Sequence, residues 1–156
     1  MTEVLFYHLE RQPLDKVLPQ LLERSRARGW RVVVQADSDE RVEALSSLLW
    51  TYADDSFLAH GTPRDGMAAS QPIWLTASDD NPNAATVRFF VGGAAPLHYD
   101  GLMRAVLLID GGDAEAVERA RAVWRDASAQ GHEVSYWQQD DGGRWQNRAR
   151  APSDAA

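Results

Sequence analysis

The side chains able to carry acid/base or metal chemistry are few and scattered. Four histidines stand at positions 8, 60, 98 and 132 without H-x-x-x-H or H-E-x-x-H spacing, and the 156-residue chain has no cysteine. Thiolate nucleophiles, disulfides and Cys-ligated metal sites are therefore excluded, and a histidine metal site would need distant segments to converge. His60 lies near Asp54, Asp55 and Ser56, the residue types of a proton relay to a hydroxyl nucleophile. Nothing in their spacing orients them as a triad, and a solvated acidic turn is the simpler account. No catalytic residue, cofactor or metal ion is expected.

Phosphate chemistry is also poorly served. In an α/β chain the nucleotide turn follows the first strand, where glycines let backbone N–H groups approach a phosphate at a helix N-terminus. Here that turn is "ERQPLD", with no glycine, and the pairs Gly92-Gly93, Gly111-Gly112 and Gly142-Gly143 fit neither G-x-G-x-x-G nor G-x-x-x-x-G-K-[ST]. "GTPRDG", residues 61–66, lacks both the lysine and a preceding strand. A nucleotide-dependent hydrolase or transferase on an α/β scaffold is the rival class, and it requires the glycine turn that is missing.

Binding chemistry is better represented. Arg121 and Arg125 are four apart, so on a helix their heads are neighbours, and Trp124 lies at the edge of the apolar stripe formed by residues 116, 117, 120, 123 and 127. Two adjacent guanidinium groups beside an indole suit an acidic peptide that ends in an apolar side chain. The alternative is a solvated pair beside Glu118. Trp50 poses a similar choice. With about 100° per helical residue, residues 42, 45, 48, 49 and 52 form one stripe and Trp50 falls well off it. It is either covered by residues 53–60, through Phe57, or held out for a partner.

These residues need elements to position them. Residues 4–9 ("VLFYHL") read as a strand buried on both faces, and a helix follows from Pro13 to Gly29 with apolar residues at 14, 17, 18, 21 and 22. Residues 30–35 form a second strand, and a second helix spans 38–52, with Asp37 and Glu40 as its capping box. Strands are expected at 71–76, 86–91, 102–109 and 133–138, and a third helix, capped by Asp113, ends at Gly131. From Asp140 onward the chain is polar and without period. The alternation implies one three-layer α/β/α domain over residues 1–139 with a mainly parallel central sheet, Rossmann-like but without a nucleotide-binding loop. Residues 140–156 are expected to be a flexible tail.

Acidic side chains outnumber basic ones by 23 to 16, for a net charge of −7. That balance disfavours direct contact with nucleic acid, since phosphate binding rests on clustered Lys and Arg. No window approaches the ~20 apolar residues of a membrane span, so a cytoplasmic protein without membrane contact is expected.

Several segments together, "FYHL", "RVVVQADSDERVEALSSLLW", "SFLAHG", "QPIWL" and "ERARAVWRDASAQGHEVSYW", resemble the chi subunit family of bacterial DNA polymerase III holoenzyme over roughly residues 4–137. The resemblance implies a non-catalytic accessory subunit in DNA replication. Such a subunit links the clamp-loader assembly to single-stranded-DNA-binding protein by holding that protein's acidic C-terminal tail, so any DNA contact is mainly indirect. It further implies that Trp50, Arg121, Trp124 and Arg125 form the tail site, and that Phe57 marks the interface for a psi subunit or an equivalent clamp-loader or helicase partner. Trp124 stands where the family pattern has tyrosine, and Ser128 where it has a further basic residue. Residues 83–102 match poorly.

Overall fold

A computed structural model describes residues 2–52 and 58–151. Strand β1 is Glu3–Leu9, followed by helix α1 (Leu14–Ala27), β2 (Val32–Gln35) and α2 (Asp39–Thr51). Then come β3 (Ile73–Thr76), β4 (Val87–Phe90), β5 (Arg104–Asp110), α3 (Ala114–Ala129), β6 (Glu133–Gln139) and β7 (Trp145–Ala151). The strands form one sheet in the order β3-β2-β4-β5-β1-β6-β7, and every neighbouring pair is parallel except β6 with β7. Every residue of β2, β3 and β4 is buried, as expected where both faces of a parallel strand are covered.

Alternate residues feed two cores. Val32, Val34, Phe89, Val106, Leu108 and Leu9 face α1 and α2, which contribute Leu18, Leu22, Leu45 and Leu49. Val4, Phe6, Ala105, Leu107 and Val134 face α3, which contributes Ala120, Ala127 and, half-buried, Trp124. The helices are divided this way because the chain reverses direction in the sheet. From β1 it moves across to β2 and β3, whereas from β5 it moves the other way, past β1, to β6. Right-handed crossovers running in opposite directions put their helices on opposite faces.

The ends of the elements follow local chemistry. Gly29 ends the α1 region at φ 78° and Gly131 follows α3 at φ 84°. The Asp113 side chain accepts from the N–H groups of Glu115 and Ala116 at the start of α3. At α2 the expected cap is corrected by one residue: Ser38 accepts the N–H of Arg41, while the Asp37 carboxylate turns to the Arg41 guanidinium at 3.4 Å.

The expected flexible tail is also corrected over residues 140–151; residues 152–156 lie outside the described residues. Residues 145–151 form β7, antiparallel to β6. The turn between them is organised by Asp140, whose Oδ1 accepts the N–H groups of Gly142 and Arg144 at 2.9 Å, with Gly143 at φ 81°. Trp145 then meets Tyr7 edge-on, with ring centroids 4.8 Å apart. The segment carries no clear period because an edge strand needs little burial, so "WQNRARA" hides its alternation.

Two links between parallel strands have no helix. The loop from β3 to β4 is held by Arg88, which is 4% exposed. Its guanidinium donates to Gln35 Oε1 at 2.9 Å and to the carbonyl oxygens of Asp80 at 2.6 Å and Ser78 at 2.8 Å. Asp80 in turn accepts from Thr76 (2.8 Å), Ser78 (2.9 Å) and Trp74 Nε1 (3.2 Å). Burial pushes the Asp80 carboxyl up, but these donors outweigh it and hold it below the usual carboxylate range. The link from β4 to β5 lays Tyr99 and Leu102 on the α3 side, where Thr2 Oγ1 donates to the Leu102 carbonyl at 2.8 Å.

Arg88→Met leaves Gln35 and two carbonyls without a donor and is expected to lower the unfolding free energy by about 2–4 kcal/mol, read from urea midpoints. Arg88→Lys should recover only part of this, since one ammonium cannot reproduce the planar fork. Tyr99 supplies a pH signature. Burial, with Asp126 adding to it, pushes its hydroxyl up to about 12 from 10.0, so its contribution to stability is full below pH 10 and lost as pH rises through about 12. Thermal melts of Tyr99→Phe should therefore decline less steeply than wild type across that window.

Candidate functional site

A cleft of about 410 Å³ opens between α3 and the C-terminal strands. Its α3 wall comes from Val117, Ala120, Arg121 and Trp124, which share one side of the helix through the i, i+3, i+4, i+7 spacing. Tyr136 and Gln138 of β6, His8 of β1 and Ala149 of β7 complete it. Trp124 is wedged between Phe6, at 5.4 Å, and Tyr136, at 6.3 Å and near-perpendicular, while Phe6 and Tyr136 stack at 16°. These contacts hold the indole in one orientation, so the apolar surface is formed in advance of any ligand.

The polar groups sit at the rim and the floor. Arg121 is well exposed and pairs with Glu118, one turn back, at 3.0 Å. This pair is weak enough to be exchanged for an incoming carboxylate. At the floor the Tyr136 hydroxyl meets His8 Nδ1, and His8 Nε2 meets Glu10 at 2.8 Å. Burial pushes the Tyr136 hydroxyl up, with Arg121 opposing and Glu10 adding, so it remains neutral and able to hydrogen-bond at neutral pH. Such a cleft can seat an apolar side chain against Trp124 and Tyr136 while Arg121 engages an adjacent anion.

The residues singled out in sequence are only partly brought together. Arg121 and Trp124 line the cleft. Arg125 is exposed one turn further along α3 and does not line it. Trp50 does not belong to this site. It is 58% exposed on α2, on the other face of the sheet, with its ring 5.3 Å from that of His60. The segment carrying His60 runs beside β3, where Gly61 N donates to the Ile73 carbonyl at 3.0 Å. From that edge to β1 is four strand spacings, about 19 Å. Phe57 lies outside the described residues, as do Asp54, Asp55 and Ser56.

His60 is 8% exposed and committed at both nitrogens: Nδ1 donates to the Leu58 carbonyl at 2.8 Å, and Nε2 accepts from the Ser46 hydroxyl at 3.0 Å. This is a structural histidine. Among the described residues no cluster of three or more His, Cys, Asp or Glu side chains is placed to hold a metal ion. A larger crevice of about 540 Å³ lies at the C-terminal ends of the strands, where α/β sheets bind nucleotides. It presents Glu10, Asp37, Asp110 and Asp113, and its arginines are tied to carboxylates: Arg11 to Asp141, Arg41 to Asp37 and Arg119 to Glu115. With four carboxylates to three arginines, that lining has no excess of positive charge for a polyphosphate.

Sequence reasoning overlooked His8, Val117, Tyr136, Gln138 and Ala149. The signal for most of them was the two-residue alternation along β1 and β6: residues 4, 6 and 8 share a face, as do 134, 136 and 138. Ala149 had no signal, because its strand was not anticipated.

The comparisons with known proteins agree with this architecture. The family model described as DNA polymerase III chi subunit, HolC, matches residues 1–135. A protein named "Probable DNA polymerase III subunit chi", from Rickettsia prowazekii (strain Madrid E), is 31% identical over 87 residues, which is 56% of this chain and 53% of that protein. The chain thus spans about half the length of that relative. Since the family match runs through both cores and the α3 wall of the cleft, the chain belongs to the DNA polymerase III chi subunit family.

Proposed function

We propose that this chain is a non-catalytic accessory subunit of the replicative polymerase holoenzyme in the bacterial cytoplasm, and that the cleft between α3 and β6 holds the acidic C-terminal tail of single-stranded-DNA-binding protein. The observation that carries this is the pre-formed apolar slot of Trp124 and Tyr136 with Arg121 exposed at its rim. Association with an apolar anchor flanked by a carboxylate uses both features at once: the slot removes apolar surface from water, and the guanidinium selects the anion. Arg125, on the next turn of α3, adds long-range attraction for further carboxylates without closing on the anchor. The described residues include no helix long and apolar enough to cross a membrane, in keeping with action beside the replication machinery.

The surface around Trp50 takes a separate role. It lies at the end of α2, seven residues before Phe57 in the chain, and is assigned with Phe57 to the psi subunit or an equivalent clamp-loader or helicase partner. Because Trp50 and the cleft lie on opposite faces of the sheet, one chain can hold the tail and the partner together and so join coated single strands to the clamp loader.

A synthetic acidic peptide that ends in an apolar residue with a free carboxylate tests the cleft by calorimetric titration. Arg121→Ala and Trp124→Ala are each expected to weaken binding by about 1–3 kcal/mol, and Trp50→Ala to leave it unchanged. Amidating the peptide C-terminus should remove most of the Arg121 effect, and raising salt should weaken binding through the same component. Wild-type affinity in both α3 variants would rule the cleft out.

A further inference from the structure

The family match ends at residue 135, two residues into the pairing of β6 with β7, so the turn at 140–144 and β7 lie outside it. β7 is nevertheless a seven-residue strand and the last one in the sheet. Its outer edge therefore presents backbone N–H and C=O groups with no neighbouring strand among the described residues. Such an edge pairs readily with another chain unless something prevents it.

The side chains on this edge decide which chain. In a protein of net charge −7, β7 itself holds Arg148 and Arg150 and no carboxylate, with Arg144 just before it, all exposed; the carboxylates of the hairpin, Glu133, Asp140 and Asp141, stand on β6 and in the turn. Arg150 leans toward Glu133 at 3.8 Å, and Arg148 has no ion-pair partner among the described residues. Two copies of β7 laid edge to edge would bring like charges together. The same arginines complement carboxylates. We infer that the outer edge of β7 accepts an extended acidic segment of a partner protein as an eighth strand, with main-chain hydrogen bonds supplying affinity and Arg144, Arg148 and Arg150 supplying the preference for acid. This goes beyond the reading of the α3 cleft and stands without it.

The test uses the full chain and an eight-residue peptide of alternating Asp and Val, amidated so that it offers no terminal carboxylate to Arg121. Hydrogen exchange of the 145–150 amides should slow by about tenfold or more at saturating peptide, as expected when an edge strand gains a neighbour. The slowing should be retained in Arg121→Ala, absent with a Lys-Val peptide, and lost in the Arg144→Glu, Arg148→Glu double variant. A far-UV spectrum shows whether that variant is folded, and Arg148→Glu alone, expected to give a partial loss, is the second measurement. Unchanged exchange with the acidic peptide, or equal slowing with the Lys-Val peptide, would overturn the inference. So would protection that rises with protein concentration alone and accompanies a dimer in sedimentation, since the edge would then pair with a second copy.

Discussion

Two parallel strands cannot be joined by a tight turn: the chain must travel back across a face of the sheet before it can run beside its neighbour. Most of this molecule answers that requirement. Three returns are helices, and their placement on two faces follows from the reversal between the β1-to-β3 and β5-to-β6 halves. The other two, from β3 to β4 and from β4 to β5, are loops that must cover core without helical hydrogen bonding. Arg88 solves the first by offering a fixed fork of donors to one side chain and two carbonyls, and Asp80 gathers three further donors around it. A buried guanidinium is tolerated here because its hydrogen bonds replace those it loses to water.

The same reversal separates the aromatic surfaces. Trp50 and Trp124 each stand beside the apolar stripe of an amphipathic helix, yet their surroundings differ. Trp124 is locked between Phe6 and Tyr136 and completes a concave wall. Trp50 rests on a structural histidine at the β3 edge and keeps most of its surface in contact with solvent. Under the proposed function, this arrangement lets two partners be engaged without competing for space.

Electrostatics is local throughout. An acidic chain still presents positive groups where they matter, with Arg121 and Arg125 along α3 and three arginines on the C-terminal hairpin, while carboxylates gather in the crevice at the C-terminal ends of the strands. Net charge therefore disfavours a broad nucleic-acid surface but says little about small anion sites, which depend on a few side chains within a Debye length.

The order and type of the first nine elements were legible in the sequence, because buried parallel strands such as "RVVVQ" and amphipathic helices with clean caps carry strong periodic signals. It also marked Arg121 and Trp124 as neighbours, since both lie on one helix and spacing alone relates them. The Asp37 cap was displaced to Ser38, where two residues of similar capping ability stood side by side and the Arg41 side chain chose between them. β7 was illegible because residues 146–150 are exposed in succession, so neither face carries an apolar series. Tertiary structure alone decided that Trp50 lies away from Arg121, that Tyr136, His8 and Ala149 finish the cleft, and that Arg88 anchors a loop. Each of these depends on strand order, a long-range property that local spacing does not encode: residues far apart in the chain become neighbours only when the sheet pairs β1 with β5 and β6.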